Sequence, residues 1–261
     1  SGSSKKETGC CSLDSINDAR NIAVDLGFHH NILDIREEFG DYVIDYFTDE
    51  YMIGRTPNPC VLCNTHIKWE ALLKRADKLG CDFIATGHYA NINEKSGRYF
   101  ISKGKDLNKD QSYALWGINQ KNLSRTIFPL GSLEKDEIKK IALDRGYDNL
   151  VKKSESYEIC FVPDNDYRSF LKKRVSNIDK VIKKGDFITE DGQTVGTHQG
   201  YPFYTIGQRK GLGLALGYPI YVTNIDVEKN TVTVGTFDEL KRNGMYVDKL
   251  NFMKYDNIDG R

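Results

Sequence analysis

Helix-period and strand-period segments alternate between residues 15 and 90, and this alternation constrains the fold more than any other feature of the chain. Ala19, Ile22, Ala23 and Leu26 recur on one face of a first helix, which Asp14 or Ser15 can cap and Gly27 stops. A short strand is expected near residues 31–35. Tyr42, Ile44, Tyr46, Phe47 and Tyr51 predict a second helix over residues 39–52. Pro57 and Pro59 then force a loop, because proline disfavours helix at the residue before it. Asn64 stands where a cap belongs, ahead of a helix over residues 65–79 with Ile67, Ala71, Leu72, Ala76 and Leu79 inward. Residues 82–86 read as a buried strand that ends at Gly87-His88-Tyr89. Such alternation predicts an α/β domain with a parallel sheet.

The texture changes after Ala90. Residues 99–102 predict a strand, residues 109–113 a polar loop, and residues 133–146 a helix with Ile138, Ile141 and Ala142 inward. From Phe187 onward short strands and glycine turns dominate. Residues 220–227 and 231–234 read as strands around a Glu228-Lys229-Asn230 turn, so a mostly β region follows the α/β one.

Composition narrows the class. With 39% hydrophobic residues, 15 Tyr and 12 Phe, the chain has the mass for a core, which argues against disorder. No apolar run approaches the ~18 residues that span a bilayer, and nothing at the start reads as a signal peptide. The 6 cysteines are too sparse for a disulfide scaffold, which places the chain in a reducing cytoplasm. The 37 basic and 37 acidic side chains cancel, so no overall basic footprint points to nucleic acid. A local patch would suffice, and Lys172, Lys173, Arg174, Lys180, Lys183 and Lys184 are the densest stretch, though a solvated helix face is the favoured reading of them.

The chemistry-bearing residues are few. Cys60 and Cys63 form a Cys-x-x-Cys pair behind Pro57-Asn58-Pro59, and Cys160 follows far downstream in Ile159-Cys160-Phe161. Alone, the pair fits a redox motif, half a zinc site or a cluster site. Cys10, Cys11 and Cys81 read as structural. Cys63 is expected just before a helix start, where the partial positive charge stabilises a thiolate. Gly87 and His88 are expected at the carboxyl end of a strand, where ligands of open α/β sheets sit. His88 there reads either as a phosphate contact or as a satisfied surface histidine. Lys109-Asp110-Gln111 offers a cation, an anion and an amide together. Gly207-Gln208-Arg209-Lys210-Gly211-Leu212-Gly213 is a glycine-hinged basic loop without nucleotide P-loop spacing.

Taken together, these stretches resemble the bacterial-type tRNA-specific 2-thiouridylases of the MnmA type. The matching blocks are Gly54-Arg55-Thr56-Pro57-Asn58-Pro59 with Cys63-Asn64, Ala85-Thr86-Gly87-His88-Tyr89, Lys109-Asp110-Gln111-Ser112-Tyr113, Glu158-Ile159-Cys160-Phe161 and Tyr204 to Gly213, in family order over nearly the whole chain. The resemblance implies a Rossmann-like parallel sheet of the adenine nucleotide alpha hydrolase-like, N-type ATP pyrophosphatase kind. That domain would cover residues 1–164, with a mostly β central domain over 165–237 and the start of a C-terminal β-barrel over 238–261. It implies an enzyme that uses ATP with Mg2+ to adenylate O2 of the wobble uridine of tRNA and then replaces that oxygen with sulfur. Cys160 matches the persulfide carrier and Cys63 its partner cysteine. Asn58, Pro59 and Cys60 match the loop that meets the target base, Gly87 an ATP contact, and His88, Lys109, Asp110 and Gln111 tRNA contacts. A sulfur-relay protein or cysteine desulfurase would supply the sulfur.

Two departures from the pattern matter. Many family members carry Asp where this chain has Cys60, so Cys60, Cys63 and Cys160 together offer a ligand set for a [4Fe-4S] cluster as a second route for sulfur. The family's N-terminal Ser-Gly-Gly-x-Asp-Ser pyrophosphate loop has no counterpart here, and the C-terminal barrel is barely begun. The chain as written is therefore expected to bind ATP poorly and to lack part of its tRNA surface. Two readings of other classes compete: an inactive fragment that binds tRNA or a sulfur-relay protein, and a thiol–disulfide oxidoreductase using Cys60 and Cys63 alone.

Overall fold

The computed structural model describes residues 13–153, 159–162, 165–176, 178 and 182–257. Helix α1, Leu13–Asp25, already contains Asp14 in its first turn, so it begins ahead of the expected caps. Gly27 ends it at φ 73°, and the Phe28 amide returns to the Ala23 carbonyl. The strand expected near residues 31–35 does not form; Ile32 and Leu33 are exposed there.

Two long helices shape the first half, and both are composite. The first, here the tyrosine helix, runs unbroken through Arg36–Phe39, a π-helical stretch Gly40–Asp45, and Tyr46–Met52. The second, the cysteine helix, runs through Pro59–Leu62, a π-helical stretch Cys63–Ala71, and Leu72–Lys78. It starts at Pro59 rather than at residue 65. Proline suits a first helical position, because its missing N–H would have no intrahelical partner there. The π stretch rotates the inward face. Ile67 and Ala76 are buried as expected, but Trp69 and Leu73 take the core positions, and Leu79 is exposed.

Strand β1, Ile84–Ala85, pairs in parallel with β4, Thr126–Ile127, and gives the parallel pairing that the alternation predicts. It is shorter than residues 82–86, and only Ile84 is buried; Phe83 and Ala85 are exposed. Between them lies an antiparallel hairpin, β2 (Ala90–Lys95) and β3 (Arg98–Lys103), which the sequence reading caught only in its second strand. Ser96 and Gly97 turn it with φ 54° and 74°, both positive as a two-residue hairpin turn requires. Trp69, Leu73, Ile84, Leu115, Ile118, Leu123 and Phe128 form the core beneath. Trp69 is fully buried, and its Nε1–H donates to Thr126 Oγ1 at 2.7 Å. Thr126 Oγ1 in turn donates to the Asn122 carbonyl at 2.7 Å.

The second half is a four-stranded sheet in the order β6-β5-β8-β7. Its strands are β5 (Gly185–Ile188), β6 (Thr194–His198), β7 (Tyr221–Asp226) and β8 (Thr231–Gly235), with β5 and β8 parallel. The turn at residues 228–230 forms as expected, with Asn230 at φ 51°. Phe187, Val222, Val232 and Val234 make its core, which Phe47 and Tyr51 of the tyrosine helix and Leu171 of the helix Tyr167–Arg174 complete. Lys172, Lys173 and Arg174 fall in the last turn of that helix; Arg174 pairs with Asp45 at 2.7 Å and Lys172 lies over the Phe203 ring. Lys180 lies outside the described residues.

Past β8, residues 236–257 contain a 3-10 turn at Asp238–Leu240 and no strand. The segment instead returns to the hairpin. The Arg98 guanidinium donates to the Phe252 and Met253 carbonyls and pairs with Asp256 at 2.6 Å. Among the described residues no helix is long and apolar enough to cross a membrane.

Thr126 is the hinge of the Trp69 hydrogen-bond chain. Thr126→Val keeps the shape but strands a buried indole N–H, so it is expected to lower unfolding stability by about 1–3 kcal/mol in urea titration. An unchanged midpoint would show that the bond contributes nothing.

Candidate active site

The loop ahead of the cysteine helix is set by its prolines. Pro57 and Pro59 are buried while Asn58 and Cys60 between and after them are exposed, so the chain alternates anchor and offered side chain. Asn58 is the residue before the helix, at φ −113° and ψ 85°. Cys60 therefore lies in the first turn of the cysteine helix, and Cys63 opens the π stretch in the second, partly exposed. The expected position of Cys63 ahead of a helix start is thus corrected: Cys60 is nearer the helix N-terminus, since Pro59 nucleates the helix earlier than Asn64 could.

Asn64 is not a cap. It is 3% exposed, its Nδ2 donates to the Ala114 carbonyl at 2.8 Å, and its Oδ1 has no hydrogen-bond partner among the described residues. This bond fastens the cysteine helix to the segment after Ser112. Gly117 on that segment has no room for a side chain; a Cβ would lie 2.2 Å from Thr65 Oγ1.

The loop after β1 carries Gly87 and His88. Gly87 is exposed, and a Cβ there would meet only Leu130, at 3.6 Å. The fold itself does not need glycine at this position. His88 is not the surface cation that a phosphate contact would want. It is 7% exposed, packed beside the Trp69 and Phe128 rings. Burial, with the nearby Lys68 charge, lowers its pKa to about 4. Its Nε2 lies 3.2 Å from Lys68 Nζ and its Nδ1 2.8 Å from Thr86 Oγ1. Lysine can only donate, so Nε2 is the acceptor and Nδ1 carries the proton to Thr86.

The polar loop at residues 109–111 is largely structural. Asp110 accepts from the Gly104 amide at 2.9 Å and from Ser112 Oγ at 2.7 Å. Gln111 Oε1 accepts from the Tyr89 amide at 3.0 Å, and the Gln111 amide donates to the Tyr89 carbonyl at 2.9 Å. Gln111 thus braces the loop that carries Gly87 and His88, Asp110 ties residue 104 to residue 112, and both stay partly exposed. Lys109 lies at the edge of this brace, its amide on the Asp106 carbonyl.

Cys160 is exposed, and its neighbour Phe161 is inserted among aromatic rings. Phe161 meets Phe39 at 5.6 Å, Phe47 at 5.2 Å and Phe170 at 5.5 Å, all edge to face. Phe39 and Phe47 belong to the tyrosine helix, whose Tyr42 stacks on His66 of the cysteine helix at 4.8 Å. Cys63 and Cys160 are therefore carried by segments that pack on one common helix.

Residues 1–164 match the family model described as tRNA methyl transferase HUP domain, and residues 168–236 that described as tRNA methyl transferase PRC-barrel domain. Over 261 residues the chain is 70% identical to the tRNA-specific 2-thiouridylase MnmA of Amoebophilus asiaticus, covering 100% of this chain and 69% of that protein. It is 66% identical to the protein of the same name from Cytophaga hutchinsonii over 259 residues, covering 99% of this chain and 70% of that one. The match to the Salinibacter ruber protein of that name is 58% over 261 residues, covering 99% and 68%. The chain belongs to the MnmA family.

In this MnmA-family chain the three thiols do not make a metal site as placed. Among the described residues no group of three Cys, His, Asp or Glu side chains converges, so Cys60, Cys63 and Cys160 do not form the donor set of a cluster. Reading the sequence missed Asn64 and Lys68 as site residues. Both lie within a few residues of Cys63 on the same helix, but nothing in the periodicity of an α-helix directs them to Ala114 and His88.

His88 makes the fold pH-sensitive. Its native pKa lies below the ordinary value of 6.5, so the unfolded chain binds more protons between pH 6.5 and about 4, and stability is lost as pH falls through that window. The full cost is on the order of 3 kcal/mol. His88→Gln is expected to flatten unfolding stability between pH 6.5 and 4 in denaturant titrations. An unchanged slope would show that His88 is not buried neutral.

Proposed function

We propose that this protein is the catalytic part of a tRNA-uridine 2-sulfurtransferase, which exchanges O2 of the wobble uridine for sulfur with ATP, as its magnesium complex, supplying the activating adenylate. One observation supports the reading above the others: Cys63 and Cys160 are both reachable by solvent and both carried on segments docked to the tyrosine helix. Both thiols are accessible to reagents in solution, and the exposed Asn58 and Cys60 precede Cys63 on its own segment.

The chemistry runs in four steps. A cysteine desulfurase or sulfur-relay protein loads a sulfane sulfur on the Cys160 thiolate. Uridine O2 attacks the α-phosphorus of ATP, an O–P bond forms and pyrophosphate leaves with its electron pair. The terminal sulfur of the persulfide attacks C2; the C2–S bond forms, the C2–O bond breaks, and AMP departs with that pair. The Cys63 thiolate then attacks Sγ of Cys160, the S–S bond breaks, and sulfur stays on the base while a Cys63–Cys160 disulfide forms. A cellular thiol reductant restores both thiols. Gly87, exposed at the end of β1 and not needed for packing, suits close approach of the nucleotide. Lys109, partly exposed at the rim, supplies a cation suited to tRNA phosphate.

Cys63→Ser and Cys160→Ser, made in the protein expressed from its complete coding sequence, are each expected to lower 2-thiouridine formation by orders of magnitude while leaving tRNA binding intact. Nucleoside mass spectrometry of tRNA reads the product, and full activity in both variants would sink the mechanism. The iron–sulfur route would require Cys160 to close onto Cys60 and Cys63. Protein purified anaerobically is expected to show activity independent of iron content. Activity that tracks iron and acid-labile sulfide would replace the persulfide route with the cluster route.

A further inference from the structure

Lys68 is a charged group beside the carboxyl end of β1 that the proposed chemistry has not used. It sits inside the π stretch of the cysteine helix, partly buried, with Nζ 3.2 Å from His88 Nε2. Ammonium groups in such places usually meet a carboxylate. Here, among the described residues, no carboxylate lies within ion-pair distance, and the recorded partner is a neutral ring. One N–H is spent on His88, and the ammonium has two more.

His88 is built to hold this arrangement. Trp69 and Phe128 fix its ring, and Thr86 Oγ1 takes the Nδ1 proton, so Nε2 is left as a lone-pair acceptor facing Lys68. A protonated His88 would repel Lys68 and a differently turned one would release it. Next to His88 in the chain, Gly87 is exposed where a nucleotide would lie. A cation held by a neutral acceptor, beside an open backbone, is an arrangement suited to an anion that arrives with the substrate.

We infer that Lys68 is a catalytic residue of the adenylation and sulfur-transfer steps, its ammonium neutralising the phosphoryl group carried on uridine O2, with His88 as its positioning residue. The inference rests on the sulfurtransferase reading above. When the C2–O bond breaks, the electron pair moves to an oxygen of AMP, and Lys68 hydrogen-bonds the charge that grows there. No proton need leave the ammonium, and no further co-reactant is involved. A positioned donor in a partly dry site gains most where charge develops during the reaction.

The test uses Lys68→Met, Lys68→Gln and Lys68→Arg in the protein expressed from its complete coding sequence, first loaded with persulfide by a cysteine desulfurase and cysteine, with unmodified tRNA and ATP in single turnover. Pyrophosphate release reports adenylation, AMP release reports displacement, filter binding reports tRNA affinity, and thermal unfolding reports the fold. Lys68→Met is expected to slow AMP release about 100-fold, with tRNA affinity unchanged, and Lys68→Arg to recover part of the loss. Lys68→Gln, which keeps donors without charge, should resemble Lys68→Met and replaces it should the latter unfold. His88→Phe should cost less than Lys68→Met, and the double variant no more than Lys68→Met alone, because His88 acts through Lys68. Wild-type AMP release in Lys68→Met or Lys68→Gln, or a loss confined to tRNA affinity, would overturn the inference. Unaltered, persulfide-loaded protein that releases no AMP with tRNA and ATP would instead overturn the sulfurtransferase reading.

Discussion

Phe161 holds the two chemical halves of this protein in one place. Its ring is edge to face against Phe39, Phe47 and Phe170, so the chain next to Cys160 is pinned by an aromatic side chain. Each such contact is worth about 0.5–1.5 kcal/mol beyond its buried area, enough to fix a short irregular segment while its neighbour stays exposed. The partner helix does double duty. Through Tyr42 and His66 it also carries the cysteine helix, and through Phe47 and Tyr51 it seals the core of the β half. One helix thus sets the frame for both thiols and for the join between the α/β and β regions. Gly54, just past its end, permits the close approach: a Cβ there would lie 2.6 Å from Val227.

The elements legible in the sequence are those whose signal is local. Gly27 and Gly80 end helices because each takes positive φ, and the 228–230 turn declares itself between two β-rich runs. The helix over residues 133–146 forms as Lys135–Asp144. What escaped was set by departures from local rules. A π stretch advances the inward face, and so the α-helical period names Leu72 and Leu79 where the structure buries Trp69 and Leu73. Pro59 signals a break to the residue before it, yet at a first helical position it starts a helix. Residues 31–35 have strand composition but no neighbouring strand among the described residues to pair with, and β composition without a ladder does not make a strand.

The site was legible as a set of residues and not as a division of labour. Family resemblance pointed to Gly87, His88, Asp110 and Gln111 together, and the structure brings them together. It places them differently: Asp110 and Gln111 brace backbone while partly exposed, His88 is a buried neutral acceptor, and Gly87 is exposed. Sequence cannot separate these roles, since the same polar residue types serve as ligand contacts and as internal struts. Burial and the count of satisfied donors and acceptors separate them.

Net neutrality fits this arrangement. With formal charge balanced at zero, the net charge supplies no attraction for a polyanion, so placed cations carry more of that task. A lysine held by a neutral histidine serves that need better than an ion pair would. A carboxylate partner would cancel its charge before substrate arrives, and breaking the pair would tax binding. A neutral imidazole fixes the ammonium through one hydrogen bond and leaves its charge uncancelled. The cost is a histidine kept unprotonated in the core, which the flanking Trp69 and Phe128 rings enforce by excluding water. The sensitivity of the fold to acid and the readiness of the site for an anion are therefore two consequences of one buried ring.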